Sequence, residues 1–146
     1  EYAICAVAED GHTLCNVEER ARVDDEWFDE KVKTEQEEAK RRRKLYLNGE
    51  KRDIKEKTVI IVDDGVATGL TLRLAIEEVR HDNPEKIIVA VPVVPREVAD
   101  EIKGRVDEFV SLLIPQIYLG AVGAYYDDFD QVSDERVVQL LDESNQ

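Results

Sequence analysis

Apolar residues in this chain gather in short unbroken runs, and segments of helical periodicity separate those runs. The densest run is Val59-Ile60-Ile61-Val62, closed by two carboxylates, Asp63 and Asp64. Continuous runs of this kind suit strands buried on both faces, as in a parallel sheet. After a short loop bracketed by Gly65 and Gly69, Leu72, Ala75, Ile76 and Val79 fall at helical spacing, and Asn83-Pro84 stops the pattern. Lys86 to Val91 predicts another buried strand, closed by Pro92 and Pro95, and Glu97 to Lys103 a short helix ending near Gly104. Phe109 to Leu113 predicts a further strand ending at Pro115, and Gly120 to Phe129 an aromatic-rich loop. Ser133 is placed to cap a last helix, with Asp134 and Glu135 in its first turn and Val137, Val138, Leu140 and Leu141 turned inward. Strand, helix, strand, helix in this order argues for a parallel α/β sheet.

The first third reads differently. Tyr2 to Ala8 predicts a buried strand, and Thr13 to Val17 a partner through an Asp10-Gly11 turn. If that turn has two residues, Ala6 faces Cys15 and Cys5 faces Asn16. The two thiols then point to opposite faces of the ribbon, and no disulfide is expected. A metal site with His12 lacks ligands, so both cysteines read as small hydrophobes in a reducing compartment. Asp24 or Asp25 caps a helix from about Glu26 to Leu45 whose apolar stripe is thin: Trp27, Phe28, Val32 and Ala39. Glu37 with Arg41, and Glu38 with Arg42, have the favourable i,i+4 order. Residues 24–47 therefore read as a solvated, lid-like helix. Its terminal Lys40-Arg41-Arg42-Arg43-Lys44 either complements the helix dipole or serves as a basic arm over an anionic substrate.

The 146 residues fit one domain with a core of its own, and 42% hydrophobic with 37% charged residues fits a folded, soluble chain. No apolar run spans a bilayer and no signal-type segment opens the chain, so a cytoplasmic location with no membrane partner is expected. A net charge of −14 repels nucleic-acid backbones. The same acidity fits a well-solvated surface or a high-salt environment. The sequence starts at Glu1 without methionine, so further natural sequence upstream is expected.

The central motif narrows the chemistry. A receiver domain would place an aspartate at the end of the next strand, where Pro92 stands. A Walker loop would place Gly-Lys-Ser/Thr where Gly69-Leu70 stands, and a dinucleotide fold would need three spaced glycines. Val59 to Thr71 instead resembles the phosphoribosyl-pyrophosphate (PRPP) signature of the type I phosphoribosyltransferases: an apolar strand, two acids, a short loop and Thr-Gly-x-Thr. Ala90-Val91-Pro92-Val93-Val94-Pro95, the Ala121–Phe129 loop and the Ser133-Asp134-Glu135 cap resemble an uncharacterised branch of that family. A long charged helix also precedes the signature in that branch.

The resemblance implies a Rossmann-like, mostly parallel sheet flanked by helices, with residues 115–146 as a small hood and terminal helix. It assigns Asp63 and Asp64 to the ribose 2- and 3-hydroxyls as the catalytic pair. Gly65, Val66, Ala67, Thr68, Gly69 and Thr71 become the 5-phosphate loop. Physics points the same way, because a diol wants paired acceptors and a phosphate wants convergent N–H donors at a helix start. Tyr125, Tyr126 or Phe129 would stack on a nucleobase-like acceptor or else plug the core beneath the hood. Magnesium would accompany PRPP and pyrophosphate through substrate oxygens, with no direct protein ligand. In the family an earlier strand and loop hold pyrophosphate; nothing here corresponds to them, so half a site is expected. An enzyme releasing pyrophosphate and a non-catalytic phosphoribosyl-ligand sensor both remain open, as does a homodimer, since family members often pair.

Overall fold

The computed structural model describes residues 3–144; Tyr2, where the first strand was expected to begin, lies outside them. Strands β1 (Cys5–Val7) and β2 (Thr13–Cys15) form a hairpin, followed by a short α1 (Val17–Arg20) and a long α2 (Asp25–Leu47). Then come β3 (Thr58–Val62), α3 (Leu70–His81), β4 (Lys86–Val93), α4 (Arg96–Lys103), β5 (Glu108–Leu113) and α5 (Asp134–Ser144). The three later strands form one parallel sheet in the order β3-β4-β5, with Ile61 beside Val89 and Val89 beside Phe109. The expected alternation therefore holds, except that β4 runs through Pro92 to Val93 instead of stopping before it.

The sheet is buried on one face, not on both. Val89, Val91, Ile61 and Phe109 pack against Leu72 and Ile76 of α3 and Ala99 and Ile102 of α4. On the opposite face Ile60 is 60% exposed, Val62 72% and Leu112 85%, beside half-buried Ile88 and Ala90. A continuous apolar run reports that both faces are hydrophobic; it carries no signal of whether anything covers the second.

Helix α3 is packed on two sides. Leu72 and Ile76, one turn apart, face the sheet, and Leu70 with Leu74 faces Ala6, Ala8 and Leu14 of the hairpin. The N-terminal hairpin is thereby fastened to the helix that starts at the loop.

The expected register of that hairpin is wrong by one residue. Ala8 N–H donates to the carbonyl of His12 at 2.7 Å and Gly11 N–H to the carbonyl of Ala8, so the loop has three residues, Glu9-Asp10-Gly11. Gly11 takes φ 97°, the left-handed conformation that closes loops of this length. Cys5 now pairs with Cys15, and the two are joined in a disulfide. A one-residue slip moves every side chain to the other face. The thiols expected on opposite faces are on the same one, and a reducing compartment no longer follows from free thiols.

Helix α2 spans 23 residues with none buried, as its polarity demands. Asp24 caps it, accepting from Trp27 N–H at 3.0 Å. Its basic end is tied down. Arg41 pairs with Glu38 and with Asp134 of α5, Arg42 with Glu38, and Arg43 with Glu9 of the hairpin loop. Tyr46 also donates to Asp134. Glu37 is not the partner of Arg41. These ties join α2 to α5 and to the hairpin loop.

Candidate active site

Strand β3 delivers Asp63 and Asp64 to the carboxyl end of the sheet, where open α/β folds place ligands. A pocket of about 430 Å³ opens there, lined by Asp63, Asp64, Thr68, Thr71, Ala3 and Val122 around the loop backbone. All eight residues picked from the motif line it. Asp63 Oδ1 accepts from Asp64 N–H at 3.0 Å, a local turn contact. Both carboxylates are exposed.

The loop owes its course to two glycines with different duties. A Cβ on Gly65 would lie 2.6 Å from Val122 Cγ1 and 2.8 Å from Val93 Cγ1, so any side chain there collides with packed valines. Gly69 takes φ 76°, and its Cβ would meet Val98 at 2.7 Å. Between them, buried Val66 donates its N–H to the carbonyl of Val93 at 2.8 Å, which moors the loop to the end of β4.

Gly69 is also the N-cap of α3 and offers no side-chain cap. The N–H groups of the first helical turn thus have no intrahelical acceptor, and they carry the positive end of the helix dipole. Neither Thr68 nor Thr71 spends its hydroxyl on a side-chain hydrogen bond within the described residues. Two carboxylates beside uncapped N–H donors can accept from a diol and donate to an anion in one pocket.

The aromatic residues of the segment before α5 pack on one another beside this pocket. Tyr125 stacks on Tyr118, 5.6 Å between centroids, and its hydroxyl accepts from Leu119 N–H. Tyr126 packs against Phe129 at 4.9 Å, and Phe129 sits on Gly123. The Tyr126 hydroxyl donates to the carbonyl of Asp64. None of these three expected stacking residues lines the pocket; Val122, from the 3-10 turn Val122–Tyr125, does. No residue of α2 lines it either.

Sequence reading missed Val122, Ala3 and Arg73. Arg73 Nη2 donates to the carbonyl of Thr68 at 2.8 Å from behind the loop. Its place one turn into α3 was visible, but its tertiary partner had no sequence signal.

Fold and pocket together define an α/β protein whose acid pair and glycine loop share one cavity at the sheet's carboxyl end. The family model described as "Phosphoribosyl transferase domain" matches residues 11–128. The chain belongs to the phosphoribosyl transferase family. It is 33% identical over 148 residues to two Mycobacterium tuberculosis proteins, "Putative phosphoribosyl transferase MT0597" and "Putative phosphoribosyl transferase Rv0571c". Those alignments cover 99% of this chain and 33% of each relative, so the chain spans about a third of their length. The crystal structure of TT1426 from Thermus thermophilus superimposes with a TM-score of 0.71 at 34% identity, covering 97% of this chain and 68% of the other. Among the described residues no helix is long and apolar enough to cross a membrane.

Proposed function

We propose that this domain binds PRPP and transfers its ribose-5-phosphate to a nucleobase-like acceptor, releasing pyrophosphate. The observation that carries the reading is the adjacency of the acid pair to the uncapped, glycine-framed start of α3. Asp63 and Asp64 accept from the ribose 2- and 3-hydroxyls. The backbone from Gly65 to Gly69, with the hydroxyls of Thr68 and Thr71, holds the 5-phosphate.

In the reaction, the bond from the anomeric carbon to pyrophosphate breaks with its electron pair leaving on oxygen. A ring nitrogen of the acceptor forms the new bond, and its proton is released to solvent. The sugar passes through a cation-like state, so positioning and fixed negative charge carry the rate. The carboxylates of Asp63 and Asp64 supply that charge beside the ring.

No group of three metal-ligating side chains occurs among the described residues. A magnesium ion would be held mostly by substrate oxygens and water rather than by protein ligands. Its charge would offset that of the pyrophosphate leaving group. The acceptor is a small molecule; an acidic chain of net charge −14 is a poor partner for nucleic acid.

One observation favours a second reading. The pocket lining contains no lysine, arginine or histidine, so the described residues supply no cationic side chain to a departing pyrophosphate. A non-catalytic phosphoribosyl-ligand sensor needs none. Assaying pyrophosphate release with PRPP, magnesium and a panel of bases separates the two. Turnover that disappears in Asp64→Asn supports the transferase, and tight PRPP binding without turnover supports the sensor. Failure to bind PRPP or any nucleoside monophosphate removes both.

A further inference from the structure

A pocket meant for phosphate has an electrostatic deficit here. Among the described residues its lining carries two carboxylates and no cationic side chain, on a chain with a net charge of −14. Backbone N–H groups and a helix dipole give an anion only partial charges to meet. A cation behind the loop can both set those donors and add positive charge to the field they present.

Arg73 is placed to do both. Its side chain is 23% exposed and lies along the back of the loop. Nη2 and Nε come within 3.5 and 3.6 Å of where a Cβ on Gly69 would stand. Nη2 donates to the carbonyl of Thr68 at 2.8 Å. The peptide between Thr68 and Gly69 is planar and trans, so its C=O and N–H point in opposite directions. Holding the carbonyl toward Arg73, which is not in the lining, aims the Gly69 N–H away from Arg73 and toward the pocket.

The remaining partners leave the cation available. Arg73 Nε is 3.3 Å from Glu101 Oε1, yet it is buried without a hydrogen bond of acceptable geometry. The same Glu101 oxygen lies closer to Arg105, 3.0 Å from its Nη2, and Arg105 also approaches Glu77 at 3.7 Å. Glu101 is shared between two guanidinium groups and neutralises neither alone. The field of Arg73 therefore reaches the loop, through a peptide it also orients.

We infer that Arg73 is the positioning residue of the phosphate loop: it fixes the Thr68–Gly69 peptide with its N–H toward the ligand and adds positive charge from behind the loop. This rests on the phosphoribosyl reading of the pocket.

The test compares wild type, Arg73→Gln, Arg73→Lys and Glu101→Gln by calorimetry with magnesium-PRPP and with inorganic phosphate. Amide hydrogen exchange over residues 66–72 is followed in parallel. Arg73→Gln is expected to weaken both ligands by roughly tenfold or more, the scale of a hydrogen bond to a charged group, and to speed exchange in the loop. Arg73→Lys keeps the charge and recovers part of the affinity. Glu101→Gln frees Arg73 and leaves affinity equal or higher. Where turnover is measurable, KM for PRPP rises in Arg73→Gln while kcat changes little. Wild-type affinity in Arg73→Gln overturns the inference. So does a loss in Glu101→Gln matching that in Arg73→Gln, which would mark the ion pair as mere scaffolding. If wild type binds phosphate but not PRPP, the phosphoribosyl reading fails while the phosphate and exchange data still decide the role of Arg73. If wild type binds neither, the loop holds no phosphate and the inference is overturned together with the phosphoribosyl reading.

Discussion

The Tyr126 hydroxyl donates to the backbone carbonyl of Asp64 at 2.5 Å, so the aromatic segment before α5 is bonded to the backbone of the acid pair. Tyr126→Phe keeps the ring against Phe129 and deletes this one bond. Under the proposed function, PRPP affinity should fall about two- to tenfold, the range of a single neutral hydrogen bond. Calorimetry on the two proteins checks it; equal affinities would mean that Tyr126 does not steady the acids.

Gly65 has no room for a methyl group between Val93 and Val122. Gly65→Ala should destabilise the fold by about 1–3 kcal/mol, as overpacking does. Adding Val122→Ala should return part of that loss, because Val122 Cγ1 is the nearest atom at 2.6 Å. Urea unfolding of the single and double variants measures the coupling. A double variant no better than Gly65→Ala would place the strain elsewhere.

The Cys5–Cys15 bridge spans a sequence separation of 10, a short loop in the unfolded chain. The loop-entropy account gives about 2–3 kcal/mol for a closure of this size. Replacing both cysteines by serine should lower stability by that amount. Dithiothreitol should do the same to wild type and nothing to the variant. A wild-type melting curve indifferent to reductant would contradict the bridge.

Hydrogen bonds from Arg41 and then Arg42 lower Glu38 from an ordinary 4.5 to about 2. Asp134 is likewise held below its usual 3.8, by Arg41 first and Tyr46 second. A folded pKa below the unfolded one contributes stability that is full above the unfolded value. That contribution drains as pH falls toward the folded value. The stability gap between wild type and Glu38→Gln should therefore shrink as pH drops from about 4.5 toward 2. The groups are exposed, so the gap should be small and fade with salt. A gap independent of pH would remove the pairs of Glu38 with Arg41 and Arg42 as a source of stability in α2.

The two sheet faces should respond oppositely to substitution. Ile102, with no exposed surface, packs on the covered face, and Ile102→Ala should cost about 2–5 kcal/mol. Leu112, 85% exposed, should accept lysine within about 0.5 kcal/mol. Chemical denaturation distinguishes the faces, and a large cost at Leu112 would mean its face is packed in solution.

Much of this was legible because it rests on periodicity. The run Val59–Val62, the stripe Leu72–Ile76 and the proline and glycine stops at Pro84 and Gly104 marked strands and helices nearly where they are. The eight motif residues line one pocket together because the stretch that carries them is contiguous in sequence. What was not legible depends on distances across the chain. Loops of two and three residues around Asp10-Gly11 look alike in sequence, yet they put Cys15 opposite different residues. Whether a second layer covers Ile60 and Leu112 is not encoded in those residues. Arg73 looked like any surface arginine on a helix until the carbonyl of Thr68 turned out to be its partner.

Helix α3 belongs to both apolar clusters, Leu72 and Ile76 to one and Leu70 and Leu74 to the other. Its first turn is also a wall of the pocket. Sheet, hairpin and cavity therefore share one axle. A ligand that steadies the start of this helix slows the opening of the amides of Ala6 and Leu14 as well, although neither residue lines the cavity. The hairpin becomes a remote gauge of occupancy, readable by isotope exchange without a label on the ligand.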